Sequence, residues 1–175
     1  MRWRLLTYRL DSEPSRHRVA VWRELRKVGA LSLQNATWAV PAGAAFDHAL
    51  ERAVVLVERA EGKALIFEVN PTDSSAGALE AQFLAEREAE WAEFVSECAK
   101  FETEIASEIA KERFTLAELD EEEQNLERLQ RWHRELRARD LLGAPSAPLA
   151  ERRLEECSQV LEGFAERVFR ARQGP

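Results

Sequence analysis

The chain has 175 residues, 45% of them hydrophobic and 33% charged, and carries a formal net charge of −7. That is length enough for one domain or two small ones with a real core, and the net charge excludes a protein that coats nucleic acid by bulk positive charge. No stretch approaches the ~18 apolar residues of a membrane span, and the N-terminus enters a strand-like pattern where a secretory leader would have an apolar run.

The charge is unevenly spread. Residues 1–30 hold eight Arg or Lys against three Asp or Glu, a local +5, while the other 145 hold 17 against 29, or −12. A basic face on an acidic body is the expected result. Cys98 and Cys157 fall singly on apolar helix faces and read as small buried hydrophobes. With no disulfide framework and no export signal, the expected compartment is the cytoplasm.

In chain order, Trp3 to Leu10 alternates as a strand, with Leu6, Tyr8 and Leu10 on one side and Trp3, Leu5, Thr7 and Arg9 on the other. Asp11 to Ser15 is turn chemistry with a Ser or Asp cap and a proline suited to a first helical turn. The helix from about Ser15 to Val28 has its apolar stripe at Val21, Leu25 and Val28, flanked by Trp22. Arg16, Arg23, Arg26 and Lys27 fall opposite, Val19 does not fit the stripe, and Gly29 ends the helix. Leu31/Leu33 and Trp38/Val40 alternate about Asn35-Ala36 as a short hairpin. Phe46, Leu50, Ala53, Val54 and Val57 mark a second amphipathic helix, and Ala64 to Val69 a fourth strand. This order is the split βαβ of a ferredoxin-like α+β domain, expected over residues 1–71, with both helices on one sheet face. Burying the other face calls for another segment or another chain.

Thr72 to Ala76 is polar and small and reads as a linker or a boundary. Beyond it Leu84, Trp91, Cys98 and Ile105 recur every seven residues, with Phe94, Phe101, Val95 and Ile109 beside them, which predicts a long helix over about 78–111. Thr115-Leu116-Ala117-Glu118 has capping-box spacing for a helix carrying Leu116, Leu119, Leu126, Leu129, Trp132 and Leu136 and ending at Gly143. Pro145 to Pro148 makes a turn. Leu154, Cys157, Leu161, Phe164 and Val168 stripe a last helix. Short connections predict a three-helix antiparallel region over 77–172.

No phosphate-cradling glycine loop, metal-ligand spacing or nucleophile elbow occurs, so the reading is non-enzymatic, without cofactor or metal. His17, His48 and His133 are scattered, and His133 reads as a core or boundary histidine. The basic helix face, with Arg2, Arg4, Arg9 and Arg18 nearby, is suited to phosphate contacts. Its bland counterpart is a solvated face, or one paired with the acidic half of the chain. Arg128, Arg131, Arg134, Arg137 and Arg139 form a second group, with Arg128, Arg131 and Arg134 the candidate anion-binding set. Glu127 and Glu135 stand near enough in sequence to pair with it. Glu118 to Glu123 reads as a solvated face.

These residues resemble a known family. Trp3 to Tyr8, Glu13-Pro14-Ser15-Arg16, Arg18 to Leu25, Gly29-Ala30 and Trp38 to Pro41 look like the N-terminal domain of the chromate-resistance regulatory protein ChrB. Phe83, Phe94, Leu129 to Gly143 and the helix around Cys157 and Leu161 are similar to it too. The resemblance implies DNA binding and chromate-responsive transcription control beside a chromate efflux transporter. Full-length members of the family carry a further C-terminal domain where sensing is placed. The expectation here is a separate sensor-domain protein as a possible partner, or a response that is lost or placed in the helices. The first 70 residues also look like the small ferredoxin-fold subunit of the CRISPR spacer-integration complex and the related domain of PaaX-type repressors. Nuclease-like members carry an acidic residue at the end of the first strand. Here Arg9-Leu10-Asp11 stands in that place, and Arg9 argues against metal-dependent cleavage.

The expectation is a homodimeric DNA-binding regulator, dimeric through the open sheet face or the helical seam, in which Arg16, Arg18, Arg23, Arg26 and Lys27 meet phosphates. The alternatives are a protein-interaction or scaffold module and, last, a nuclease using Asp11.

Overall fold

A computed structural model describes residues 1–173, apart from the side chains of Asp73 and Ser74. The chain is α+β. Its elements are β1 (Trp3–Arg9), α1 (Arg16–Lys27), β2 (Leu31–Gln34), β3 (Thr37–Pro41), α2 (Ala44–Arg59), β4 (Lys63–Val69), α3 (Asp73–Ala110), α4 (Leu116–Arg139) and α5 (Ala147–Gln173). Its contacts divide into two compact units, Met1–Glu86 and Arg87–Pro175, and the division falls within α3.

In the first unit the four strands form one antiparallel sheet in the order β2-β3-β1-β4. Register sets Leu6 opposite Trp38 on one side and Ile66 on the other, so the three side chains share a face. Arg4 lies on that same face and pairs with Asp47 of α2 at 3.1 Å, which marks it as the helix side. Leu6, Val21, Leu25, Val40, Leu50 and Val57 are fully buried and supply most of its apolar core. Of the stripes read from periodicity, Val21 and Leu25 of α1 and Phe46, Leu50, Ala53 and Val57 of α2 are buried, Val28 and Val54 are half-buried, and Val19 is exposed, as its position off the stripe requires.

On the opposite face Trp3 is buried, its ring 6.0 Å from Phe83 of α3, and Phe83 also meets Phe46 at 6.3 Å. Another segment of the chain thus covers part of the face expected to be open. Leu65 and Phe67, two residues apart on the edge strand β4, remain exposed there. Gly62 makes the tight entry into β4. A Cβ at that position would stand 2.5 Å from the Arg9 carbonyl oxygen, so no larger residue fits without moving backbone.

Helix limits differ from the sequence expectation where side chains replaced the usual signals. The polar stretch Thr72–Ala76 is not a linker but the start of α3, whose first turn closes through Ala76 N–H to the Thr72 carbonyl (2.8 Å). Thr115 caps α4 by accepting from the Glu118 N–H at 3.2 Å, whereas the Glu118 side chain turns to Arg113 at 3.8 Å and leaves the box half built. α4 ends at Arg139 and not at Gly143, because the Asp140 carboxylate takes the N–H groups of Gly143 (3.1 Å) and Ala144 (3.0 Å) and turns the chain. Pro148 stands in the first turn of α5, where a proline costs no hydrogen bond.

In the second unit Trp91, Phe94, Cys98, Phe101 and Ile105 are buried along α3, against a background of Leu119, Leu126, Leu129 and Leu136 from α4 and Ala150, Cys157, Leu161, Phe164 and Val168 from α5. Leu116, read as part of that seam, is exposed because it precedes the first packed turn. Two charged residues occupy the line on which Phe94 and Phe101 lie, Arg87 seven before Phe94 and Glu108 seven after Phe101, and both are buried. Arg87 donates to Glu90 through Nε (2.8 Å) and Nη2 (3.1 Å), and Arg139 of α4 donates to the same carboxylate (3.0 Å). Cys98 and Cys157, read as isolated hydrophobes, are both buried but lie together: the Cys157 thiol donates to the Cys98 carbonyl at 3.6 Å. Their contact splits their acidities, lowering the Cys98 thiol through its hydrogen bond with Cys157 and raising Cys157.

Glu122 departs from the solvated reading of Glu118 to Glu123. It is buried in α4 with Asn125 as hydrogen-bond partner, and burial, with Glu104, Glu121 and Glu108 nearby, raises its pKa above the ordinary 4.5. A carboxyl raised on folding takes up a proton between 4.5 and its folded value, so stability falls as pH rises through that window. Glu122→Gln is therefore expected to add about 1 kcal/mol at pH 7 and nothing below pH 4.5, read as denaturant midpoints at the two pH values.

Candidate nucleic-acid interface

The basic helix is held from one side only. Val21 and Leu25 anchor it in the core. At its end the Gly29 N–H bonds the Arg26 carbonyl and Ala30 bonds Leu25, both at 3.0 Å, with Gly29 at φ 72°, the left-handed turn that a glycine permits. The five cations of α1 are thereby turned outward. Its twelve residues contain five Arg or Lys and a single carboxylate, Glu24. That carboxylate is engaged by Arg52 of α2 and does not neutralise its own helix.

The five candidate residues stand as follows. Arg16, Arg18, Arg23, Arg26 and Lys27 are all exposed. Arg18 donates through Nη2 to the Ser12 carbonyl at 2.9 Å, which fixes the guanidinium without cancelling its charge. Arg26 lies 3.6 Å from Glu86. Arg16 and Arg23 have neither an ion pair nor a hydrogen bond through their side chains among the described residues. Pairing by internal carboxylates, the bland alternative for this face, thus reaches Arg26 but not Arg16, Arg18 or Arg23. Ser15 stands at the head of α1 without a side-chain cap bond, against the cap expected there, and Arg18 takes the Ser12 carbonyl of the same turn.

Asp11 is exposed at the end of β1, beside a cleft of about 390 Å³ that Arg16, His17 and Arg59 also line. Among the described residues no three His, Cys, Asp or Glu side chains are grouped so as to hold a metal ion. His48 is exposed near Glu51 at 3.7 Å, and His133 is buried between the Trp91 and Phe94 rings at 5.3 and 5.6 Å. Burial lowers the His133 pKa.

In the second unit Arg128, Arg131 and Arg134 are exposed along α4, and among the described residues none forms an ion pair, so Glu127 and Glu135 do not engage them. Arg137 and Arg139 are drawn away from that set, to Glu151 (3.0 Å) and Glu90 (3.0 Å). α4 thus carries three exposed cations spaced three residues apart, a run of positive charge with the periodicity of one drifting helix face.

Sequence reasoning missed the surroundings of Trp22. The residue flanks the apolar stripe and yet is half exposed, next to Tyr8, Trp38 and the hairpin tip. Its position four residues after Arg18, off the stripe, was the available signal.

No helix among the described residues is long and apolar enough to cross a membrane. No curated protein matches the chain. The family model described as "Protein ChrB, N-terminal" matches residues 18–175, from within α1 to the last residue, so that β1 and Arg16 lie outside the matched span. With nearly the whole chain covered, the protein belongs to the family of the ChrB N-terminal domain.

Proposed function

We propose that this protein is a non-enzymatic, DNA-binding transcriptional regulator of chromate resistance that acts in the cytoplasm as a homodimer. Its first unit is taken as ferredoxin-like, and α3 to α5 as an antiparallel helical region. The family match supports the chromate-resistance context. One observation supports the DNA: Arg16 and Arg23 stand exposed with no carboxylate partner among the described residues, on a helix whose one acid is bound elsewhere. Such groups retain their charge for phosphates, and each contact releases counterions and adds to the salt dependence. Arg18, Arg26 and Lys27 extend the same face, and Arg128, Arg131 and Arg134 are a second phosphate- or oxyanion-binding set.

Mobility-shift titrations of the protein on its own promoter fragment test this. Binding is expected at low salt, with log Kobs falling steeply as log salt rises. Arg23→Glu with Arg26→Glu should weaken it about 100-fold and reduce the salt slope by about two. Absence of any shift at low salt overturns the reading.

The scaffold reading has one observation in its favour. β4 is an edge strand on which Leu65 and Phe67 are exposed on the face away from the helices, a surface suited to a protein partner. It predicts a co-purifying protein and no nucleic-acid affinity.

A further inference from the structure

Beside α1 lies a cleft of about 370 Å³ that the phosphate argument leaves unused. Trp22 and Arg18 line it from the helix, Tyr8 and Trp38 from the sheet, and Gln34 and Asn35 from the hairpin. Trp22 is 50% exposed, an unusual cost for the largest apolar side chain on a helix whose core stripe lies elsewhere. Among the described residues none of the three rings packs against another aromatic ring. The Tyr8 hydroxyl and the Gln34 and Asn35 amides likewise have no hydrogen-bond partner among those residues.

Trp22 offers an exposed ring face, Tyr8 is partly exposed and Trp38 is buried at the cleft floor. One open indole beside uncommitted amide donors and acceptors suits a flat heterocycle with a hydrogen-bonding edge. The charge around them selects among such ligands. Arg18 sits in the cleft wall with one N–H fixed on the Ser12 carbonyl and the rest of its fork uncommitted, and Arg16 and Arg23 extend the positive field along the helix. A heterocycle attached to phosphates matches both features. A proline-rich peptide, the other common guest of an aromatic groove, matches the rings alone.

We propose that the cleft binds an unpaired nucleobase, single-stranded or extrahelical, stacked on Trp22, with Gln34 and Asn35 meeting its edge and Arg18 its phosphate. The inference deepens the nucleic-acid reading and rests on it.

The test compares an oligothymidylate of about 12 nucleotides, within the range single-strand sites cover, with a fully paired blunt duplex. Affinities are read by anisotropy of a fluorescein on each oligonucleotide at low salt, and tryptophan emission is followed on the wild type. Oligothymidylate should quench the wild-type emission, and Trp22→Ala should weaken its binding about tenfold while changing duplex binding less than twofold. Trp22→Phe should retain most of the affinity. Trp22 is half exposed, so the alanine variant keeps the core intact. Equal oligothymidylate affinity in wild type and Trp22→Ala overturns the cleft and leaves the DNA reading standing. Failure of both oligonucleotides to bind overturns both. Quenching by a proline-rich peptide, with none by oligothymidylate, overturns the nucleobase assignment.

Discussion

Asp140→Ala is expected to cost about 3 kcal/mol of stability, seen as a fall in the denaturant midpoint with an unchanged slope. Asp140 Oδ2 accepts from Trp91 Nε1 at 2.9 Å, and Oδ1 accepts from the backbone N–H groups of Gly143 and Ala144 at 3.1 and 3.0 Å. One carboxylate therefore ties α3 to the end of α4 and shapes the turn into α5. The Trp91 ring is 1% exposed, so its N–H has no water to fall back on once the acceptor is gone. Hydrogen bonds to a charged acceptor contribute about 1.5–3 kcal/mol each, and a donor left buried adds a penalty of its own. Asp140→Asn keeps an oxygen on the same atom skeleton and should lose less than half as much. If alanine and asparagine prove equally mild, the turn is held by its backbone alone.

That carboxylate marks where sequence reading reached its limit. The stripes of α1 and α2 and the seven-residue recurrence along α3 were legible because each repeats a hydrophobic period. The end of α1 was legible from a glycine able to take the left-handed turn, and the two faces of β1 from its alternation, although both faces hold a buried residue, Trp3 on one and Leu6 on the other. Arg87 and Glu108 were not. They complete the line of Phe94 and Phe101, but a charge on a helix is read as solvated unless its partner is known, and Arg139, one partner of the Arg87–Glu90 pair, lies 49 residues beyond Glu90. Cys98 and Cys157, 59 residues apart, meet only once α3 and α5 are placed. Helix limits set by side chains failed for the same reason. α4 stops at Arg139, four residues before the glycine that ordinarily would end it, and the Asp140 carboxylate holds the turn that follows by accepting from the N–H groups of Gly143 and Ala144.

The candidate site followed the same division. Outward charge on α1 was legible from residue spacing alone, since Val21 and Leu25 fix which side faces water. Which cations stay uncommitted was not, because that depends on Glu24 finding Arg52 and on Glu86 reaching Arg26. The cleft was illegible for a further reason. It joins residues of β1, α1 and the hairpin that no single period connects, and Trp22 on its own reads as a flank of the core.

Phe94→Ala is expected to cost about 4 kcal/mol and to change how stability depends on pH. Phe94 is fully buried, with the Trp91, Trp132 and His133 rings at 6.0, 5.3 and 5.6 Å. Deleting it removes its transfer energy and leaves a cavity lined by rings that cannot collapse far, which places the loss in the upper range for a core aromatic. The same wall keeps His133 dry. Burial is the first cause of its lowered pKa, with Arg137 and Arg134 acting in the same sense and Glu151 against. A histidine held neutral by the fold contributes stability that is complete above its unfolded value of 6.5 and is lost as pH falls from 6.5 toward the folded value. Water entering the Phe94→Ala cavity should bring the His133 pKa back up toward 6.5, narrowing that window. The wild type should thus lose stability between pH 7 and pH 5 through this group, and the variant less, starting from a lower total. Denaturant unfolding at the two pH values with an NMR titration of His133 measures both effects. An unmoved His133 pKa in a variant destabilised by several kcal/mol would mean that Trp91 alone excludes the water. Phe94→Leu, which refills most of the volume, should lose under 2 kcal/mol and leave the titration where it was.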